Sequence, residues 1–205
     1  MSTLIQIFAK AAVLGHVKTR LAHEVGAVAA LEIHRRLCRK VVEQARAARA
    51  DAVEIWAALD AADPFLHSFQ LPVHEQQGRE LGTRMDFALR HGLARHQRVI
   101  LIGADAYSLH ATYLQNALLS LQNCNVVIGP ALDGGYVLVG ARKSSPAIFR
   151  DIPWGTSDVM AATLDVMLEK MMSFELLAER WDIDTLADIH HHAPELLHGL
   201  DQLRD

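Results

Sequence analysis

The chain has 205 residues, a formal net charge of −4, and 51% hydrophobic and 21% charged side chains. This length and composition are typical of one soluble globular domain, which we expect to cover residues 1–205. The acidic balance argues against a general nucleic-acid binder, and the apolar stretches are too short to span a bilayer. Met1 leads directly into an apolar run, and both cysteines, Cys38 and Cys124, lie in or beside apolar patterns. These features predict a cytoplasmic protein with reduced thiols and no signal peptide.

A short apolar run at residues 4–8 predicts a buried strand, and the loop after it is basic. Lys10, Lys18 and Arg20 place three cations around Gly15, ahead of a long helical pattern. A strand, a basic loop and a helix in this order favour phosphate binding, because backbone N–H groups and cations both attract the anion. A solvated surface loop is the open alternative, since runs of charge are usually solvated.

This loop is not a P-loop. That motif needs a glycine directly before its Lys-Thr pair and another glycine five positions earlier. The chain has Val17 and Ala12 at those two positions. Phosphate would therefore be bound in a different way.

Strand and helix patterns alternate along the chain. After the first strand, further strands are predicted at residues 53–59, 71–74, 99–102, 126–128, 136–139 and 174–177. Helices are predicted from about residues 25, 65, 81, 114, 160 and 185. The alternation predicts a three-layer α/β/α sandwich with a mostly parallel central sheet. Ligands bind at the carboxyl ends of such strands, where Lys10, Asp105 and Asp133 follow predicted strands.

Six motifs occur in a fixed order: FAK…GxVKTRL, QGxxLGxRM, GxD, GPxxDGGYxLxG, PWxT and DxDT. Together they resemble DUF2064, a family of bacterial nucleotide-diphospho-sugar transferases of GT-A fold, often labelled arsenosugar-biosynthesis-type glycosyltransferases. The resemblance runs from about Ile5 to Ile189. The chain departs from the family at Ala12, where a proline is usual, and at Ala106-Tyr107, where Cys-Pro is usual.

The resemblance implies a divalent cation, Mg²⁺ or Mn²⁺, that bridges the diphosphate oxygens of a nucleotide. Asp105 is the implied metal ligand, and Asp184 is a second one, either directly or through water. Each carboxylate has a structural alternative. Asp105 could cap the segment that follows it, and Asp184 could be the N-cap of the last helix.

Asp105, Asp133 and Lys18 are the candidate catalytic residues. Asp133 is expected to contact a sugar hydroxyl or to act as a general base, and its alternative is a turn aspartate. Gly134 and Gly135 would let a sugar or acceptor approach the backbone closely.

The remaining candidates surround this centre. Lys10, Gly15, Lys18 and Arg20 are expected to bind the phosphates. Gln77 and Gly78 resemble a segment that pairs with the edge of a nucleobase. Trp154 is expected to stack on a sugar or base, or only to anchor its loop. Tyr107 is expected to face the cleft beside Asp105. The run His190-His191-His192 lies outside the six motifs and is not assigned a metal.

Three functions remain open at this point. The first is a glycosyltransferase that moves a sugar from a nucleotide donor to a small-molecule acceptor. The second is a nucleotidyltransferase that makes a nucleotide sugar from a nucleoside triphosphate and releases pyrophosphate. The third is a non-catalytic nucleotide-binding module. The basic loop serves both reactions, because both develop charge on phosphate oxygens.

Overall fold

The computed structural model describes residues 2–200, which form a mixed sheet between layers of helices. The strands within these residues are β1 (Thr3–Lys10), β2 (Ala52–Ala58), β3 (Val73–Glu75), β4 (Arg98–Gly103), β5 (Val126–Pro130), β6 (Tyr136–Ala141) and β7 (Phe174–Leu176). Their order in the sheet is β3-β2-β1-β4-β6-β5-β7. Every paired strand runs parallel to its neighbour except β6, which is antiparallel to β4 and β5. The predicted α/β class and mostly parallel sheet are confirmed.

Helices cover both faces of the sheet. The described ones are α1 (Thr19–Val25), α2 (Ala27–Ala47), α3 (Pro64–His67), α4 (Leu81–Leu93), α5 (Ala111–Ser120), α6 (Val159–Glu169) and α7 (Leu186–His192), with 3₁₀ helices at Pro146–Phe149 and Pro194–Leu197. Ile5 and Ile7 pack with α2 and α5, whereas Leu4 packs with α4 and α6. This alternation follows from the two-residue period of a strand. Between residues 2 and 200, no helix is long and apolar enough to cross a membrane.

The direction of β6 follows from its short connection to β5. Residues 131–135 are too few for a parallel crossover, so the chain must turn back as a hairpin. At Gly134 φ is +86°, and a Cβ there would lie 2.1 Å from the carbonyl oxygen of Ser157. The Gly134 carbonyl accepts a 2.8 Å hydrogen bond from the backbone N–H of Met160. Glycine is therefore required where this turn meets the start of α6.

The basic loop leads into two helices, not into the single long helix predicted from the sequence. Gly26, with φ at +87°, separates α1 from α2 and redirects the chain. Leu21 on α1 is fully buried in a cluster with Ile33, Ile183 and Ile189. The cluster ties α1 to α2 and to the C-terminal segment. Helix formation here depends on tertiary burial, which local periodicity does not show.

The strand order places a crevice between β1 and β4. From β1 the chain crosses through α2 to β2, and it later returns through α4, on the opposite face, to β4. The helix that follows β1 and the helix that precedes β4 thus lie on opposite faces of the sheet. The strands that they connect to, β2 and β4, lie on opposite sides of β1. In open α/β sheets this is the switch point at which ligands bind, outside the carboxyl ends of the strands.

Candidate active site

A cavity of about 470 Å³ opens at the carboxyl ends of β1 and β4. Its charged lining consists of four cationic and two acidic side chains: Lys10, Lys18, Arg20, Arg84, Asp105 and Asp184. Four positive and two negative charges leave a surplus of two positive charges. This surplus favours an anionic ligand.

Lys18 is the centre of the charged lining. Its Nζ donates to Oδ2 of Asp105 at 3.1 Å, to Oδ1 of Asp184 at 2.8 Å and to the carbonyl oxygen of Ile183 at 2.5 Å. These bonds use all three donors of the ammonium. The Lys18 side chain is 7% exposed, whereas each carboxylate is 43% exposed. The ammonium is therefore buried behind two carboxylates that reach solvent.

The backbone of Lys18 is left-handed, with φ at 44° and ψ at 47°, directly before α1. A non-glycine residue in this region costs about 1 kcal/mol and persists only where surrounding contacts hold it. The buried neighbours Val17 and Leu21 fix the loop on both sides. The chain is thus bent where it delivers the ammonium to the cavity.

The pKa values of the charged residues in and near this cluster are shifted in different directions. Burial alone would lower the pKa of Lys18, but attraction to Asp105 and Asp184 outweighs it and raises the pKa. Burial opposes ionisation of Asp105 as well, yet Lys18 holds the pKa of that carboxyl below its usual range. Among residues 2–200, no cation forms a salt bridge with Asp182. Its burial, together with the charges of Asp105, Asp184 and Asp133, raises its pKa to about 7.

His34, on α2, contacts the carboxyl end of β1. Burial lowers the pKa of His34, so the imidazole is neutral at pH 7. Its Nε2 lies 3.0 Å from the carbonyl oxygen of Lys10, and the hydrogen bond requires the proton on Nε2 because a carbonyl only accepts. Cys38, a buried free thiol, packs against the same ring at 3.6 Å.

Five predicted residues line the cavity, namely Lys10, Lys18, Arg20, Asp105 and Asp184. Their chemical roles stay predictions. The structure also decides one structural alternative, because Thr185 is the N-cap of α7, in a capping box with Asp188. Asp184 is thereby left to pair with Lys18.

The nucleobase prediction misses the cavity by one residue. Gln77 and Gly78 are exposed and lie outside the lining, whereas Gln76 belongs to it. The backbone N–H of Gln76 donates to Ala57 and so continues the strand ladder beyond β3. Successive side chains of an extended chain point to opposite sides, so only Gln76 faces inward. Arg84 was not among the predicted site residues, although it belongs to the QGxxLGxRM motif. It lines the cavity and donates to the carbonyl of Gly78 at 2.9 Å.

The glycine-rich turn and the first-loop glycine lie outside the cavity lining. Gly15 is exposed in the loop. Oδ1 of Asp133 accepts from the backbone N–H of Gly135 at 2.9 Å, the geometry of a turn aspartate. Asp133 is exposed, and Gly134 contacts α6 as described above.

Trp154 anchors its loop in this structure. A Cβ on Gly82 would lie 2.7 Å from Nε1 of Trp154, so the indole packs directly over that glycine. It also meets Tyr136 edge-on, with ring centroids 6.0 Å apart. The contacts match the loop-anchoring alternative, and they place the ring outside the cavity lining.

The prediction that Tyr107 faces the cleft is wrong. Its ring packs in the cluster that contains Leu21 and Ile33, and its hydroxyl donates to the carboxylate of Glu195. The tight turn after β4 turns the ring away, because the backbone N–H of Tyr107 donates to the Asp105 carbonyl at 2.7 Å. The departure from Cys-Pro therefore alters packing against the C-terminal segment and leaves the cavity wall to Ala104 and Asp105.

The C-terminal histidines take part in packing. His192 stacks on Trp181 with ring centroids 4.6 Å apart, and His191 meets His192 edge-on. Among the described side chains, no group of three or more histidine, cysteine, aspartate or glutamate residues is arranged to hold a metal ion.

Asp105 and Asp184 do not fit a divalent cation in this arrangement. Oδ2 of Asp105 and Oδ1 of Asp184 are already bound to the Lys18 ammonium. A dication held by those oxygens at about 2.1 Å would lie within roughly 5 Å of the ammonium. At an effective dielectric constant of about 20, the repulsion would be on the order of 6 kcal/mol. The Mg²⁺ or Mn²⁺ site therefore stays a prediction, and no chemical step below passes through it.

Known structures share the fold. A proposed nucleotide-diphospho-sugar transferase from Desulfovibrio desulfuricans G20 has 30% identity and a TM-score of 0.88, over 99% of this chain and 97% of that one. A CMP:2-keto-3-deoxy-manno-octonic acid synthetase complexed with CTP has 10% identity and a TM-score of 0.61, over 93% and 96% of the two chains. An inositol-1-phosphate CTP transferase from T. maritima has 13% identity and a TM-score of 0.59, over 95% and 94%. The last two show the fold alone.

The sequence comparisons are narrower. No curated protein matches the chain. The family described as "Uncharacterized protein conserved in bacteria (DUF2064)" matches residues 37–156, more than half of the chain. Together with the 30% identity to the Desulfovibrio protein over almost the whole chain, this match shows that the chain belongs to the DUF2064 family.

Proposed function

We propose that this protein is a nucleotide-sugar-related transferase and, more specifically, a glycosyltransferase that moves a sugar from a nucleoside diphosphate to a small-molecule acceptor. The observation that carries the proposal is the surplus of two positive charges in the cavity at the β1/β4 switch point. A volume of about 470 Å³ also suits a small ligand, since such sites span roughly 300–1,000 Å³. The relationship to the Desulfovibrio transferase supports the same class.

The cations divide the work of holding the diphosphate. Lys10 and Arg20 are exposed at the cavity mouth and neutralise the phosphate oxygens directly. Lys18 adds a fixed positive charge behind the carboxylates. When the bond to the sugar breaks, negative charge grows on the departing diphosphate, and prearranged cations stabilise that charge without reorganising. Asp133, as the general base for the acceptor, completes the proposed reaction.

Nucleotidyl transfer is the second candidate. The two cytidylyl-transferring proteins with the same fold support it, because they are named for CTP chemistry on similar scaffolds. The same cations would then stabilise pyrophosphate as it leaves the α-phosphate. In both cases we propose one GT-A-like domain over residues 1–205.

Product analysis tests the proposal. The protein is first screened by thermal shift against nucleoside diphosphates, triphosphates and nucleotide sugars, because a bound ligand raises apparent stability. Ligands that stabilise it are then incubated with candidate acceptors. Release of nucleoside diphosphate supports glycosyl transfer, and release of pyrophosphate supports nucleotidyl transfer. Binding without either product, in wild type and in the remote control Lys143→Ala, would leave the non-catalytic nucleotide-binding module.

A further inference from the structure

We propose that the Lys18 ammonium is a built-in cation that takes the place of a divalent metal between Asp105 and Asp184. The cavity would then bind a nucleoside diphosphate without a metal ion at this carboxylate pair. The nucleotide part of this inference rests on the proposed function. The cation part rests only on the geometry of Lys18 and its two carboxylates.

The first argument is the arrangement of donors and acceptors. The ammonium bridges Oδ2 of Asp105 and Oδ1 of Asp184, the role that a dication would have between two carboxylates. Its third donor is bound to the Ile183 carbonyl at 2.5 Å, so no donor is left to turn toward another partner. The cluster is therefore complete as it stands, with one cation between two anions.

The second argument is that the ammonium is held in place. The Lys18 side chain is 7% exposed, and its neighbours Val17 and Leu21 are 2% and 0% exposed. The left-handed backbone at Lys18 aims the side chain inward. For a metal to take the position of the ammonium, the Lys18 side chain would have to give up three hydrogen bonds while its loop stays anchored by the buried Val17 and Leu21. The cluster is thus a fixed part of the fold, unlike a surface lysine that can swing away.

The third argument is the charge that remains for the ligand. Lys10, Arg20 and Arg84 line the same cavity and are not bound to the two carboxylates. These three cations can balance the two or three negative charges of a nucleoside diphosphate without help from a dication. The lysine neutralises part of the acidic pair, and the other three cations neutralise the ligand.

The test is titration with Mn²⁺ alone, in which free Mn²⁺ is counted by electron paramagnetic resonance. Five proteins are compared: wild type, Asp105→Asn, Lys18→Ala, Lys18→Ala with Asp105→Asn, and the exposed control Lys143→Ala. We expect wild type and the control to bind no Mn²⁺ that depends on Asp105. Lys18→Ala should gain one Mn²⁺ site, at least about tenfold tighter than any Mn²⁺ binding by wild type, because the carboxylates of Asp105 and Asp184 lose the cation between them. The double variant should lose that site again.

Two results would overturn the inference. One is a Mn²⁺ site in wild type that disappears in Asp105→Asn, since metal and ammonium would then coexist. The other is a folded Lys18→Ala that gains no Mn²⁺. If Lys18→Ala does not fold, the comparison of wild type with Asp105→Asn still decides the matter.

Calorimetry with UDP, CDP and GDP tests the nucleotide part, in EDTA and in excess Mg²⁺. We expect the affinity of whichever diphosphate binds to change less than about threefold between the two conditions. A diphosphate that binds only with Mg²⁺, and loses that dependence in Asp105→Asn, would overturn the inference. If no diphosphate binds in either condition, the proposed function fails while the Mn²⁺ result stands by itself.

Discussion

Two parts of the molecule bury charge, and they do so for different purposes. One is the cavity cluster of Lys18, Asp105 and Asp184. The other is the network around Glu54 on β2, whose side chain is 3% exposed. Both networks join distant parts of the chain, but only the cavity cluster lines the cavity.

The Glu54 carboxylate is satisfied within the protein. Its Oε1 accepts from Nε2 of Gln6 and from Nε1 of Trp56, both at 2.9 Å, and Arg95 donates to both oxygens at 3.0 and 3.1 Å. Burial opposes ionisation, but these hydrogen bonds hold the pKa of Glu54 below its usual range. The network joins β1, β2 and the segment after α4, and it presents no charge to the cavity.

The cavity cluster keeps like charges together. Burial, followed by the charges of Asp105, Asp184 and Asp133, raises the pKa of Asp182 to about 7, so ionisation of Asp182 opposes folding. A buried charge is therefore not in itself a sign of function. The sign here is the position of Lys18, Asp105 and Asp184 in the cavity lining, with shifted pKa values at Lys18 and Asp105, because perturbed groups in a cleft are candidates for a functional site.

The largest expected effect comes from breaking the Glu54 network. Glu54→Ala leaves the Trp56 indole N–H without an acceptor, removes the carboxylate that pairs with Arg95, and takes one of the two acceptors of Gln6 Nε2, which should cost about 3 kcal/mol of unfolding free energy. Nucleotide affinity should not change, since Glu54 lies outside the cavity lining. Urea unfolding and calorimetry measure the two quantities. Glu54→Gln, which keeps an acceptor oxygen, is the matched control and should lose less. If Glu54→Ala lost as much nucleotide affinity as Lys18→Ala, the Glu54 network and the cavity cluster would not differ in their effect on binding.

Lys18→Ala should affect both stability and binding. It leaves two carboxylates unpaired, but each is 43% exposed and can gain water, so we expect a loss of about 2 kcal/mol. Affinity for a nucleoside diphosphate should fall as well. Lys143→Ala should change neither. An unchanged urea midpoint would show that the buried bridge contributes nothing to folding.

Arg20→Ala separates binding from stability. Arg20 is exposed at the cavity mouth, so unfolding free energy should stay within about 0.5 kcal/mol of wild type. Loss of one charge-assisted contact of roughly 1.5 kcal/mol should weaken diphosphate binding about tenfold. Calorimetry with the diphosphate that binds wild type measures this. Equal affinities would remove Arg20 from the phosphate site.

The smallest effect is a gain of stability in Asp182→Asn. The folded pKa of about 7 lies above the ordinary value of 3.8, so ionisation of Asp182 opposes folding and stability falls as the pH rises through this window. At pH 8 the variant should be more stable than wild type by about 1 kcal/mol, allowing for partial solvent screening. The difference should shrink toward zero near pH 4. Urea midpoints at both pH values measure it, with exposed Asp165→Asn as control. A variant that is less stable at pH 8 would contradict the assigned repulsion.

The sequence predicted the sheet well because its strands are short apolar runs. Residues 99–102 lie within β4, and Lys10, Lys18 and Arg20, predicted to surround the first loop, are three of the four cations that line the cavity. The sequence did not predict α1, because its formation depends on Leu21 packing against Ile183 and Ile189. It also did not predict which side Tyr107 faces, which is set by a hydrogen bond in the turn after β4.

The sequence predicted residues of the site but not the ion pairs between their side chains. Lys18 was expected to bind phosphate, yet its ammonium binds two carboxylates that the sequence had assigned to a metal. Pairing between remote segments cannot be derived from spacing within one segment. Asp182 was overlooked, although its place two residues before Asp184 in the DxDT motif was a usable signal. Gln76 was missed by one position because the strand ladder continues past β3.

The contacts of Lys18 also constrain when the site can form during folding. Its partners lie 87 and 166 residues further along the chain. Contacts of such wide sequence separation form late, because the intervening chain must lose its freedom first. A nascent chain that has not yet released residue 184 would carry a charged, half-built cavity. The bridge thereby makes completion of the cavity depend on docking of the C-terminal segment that carries Asp184, so binding of a nucleotide would report that this segment has docked.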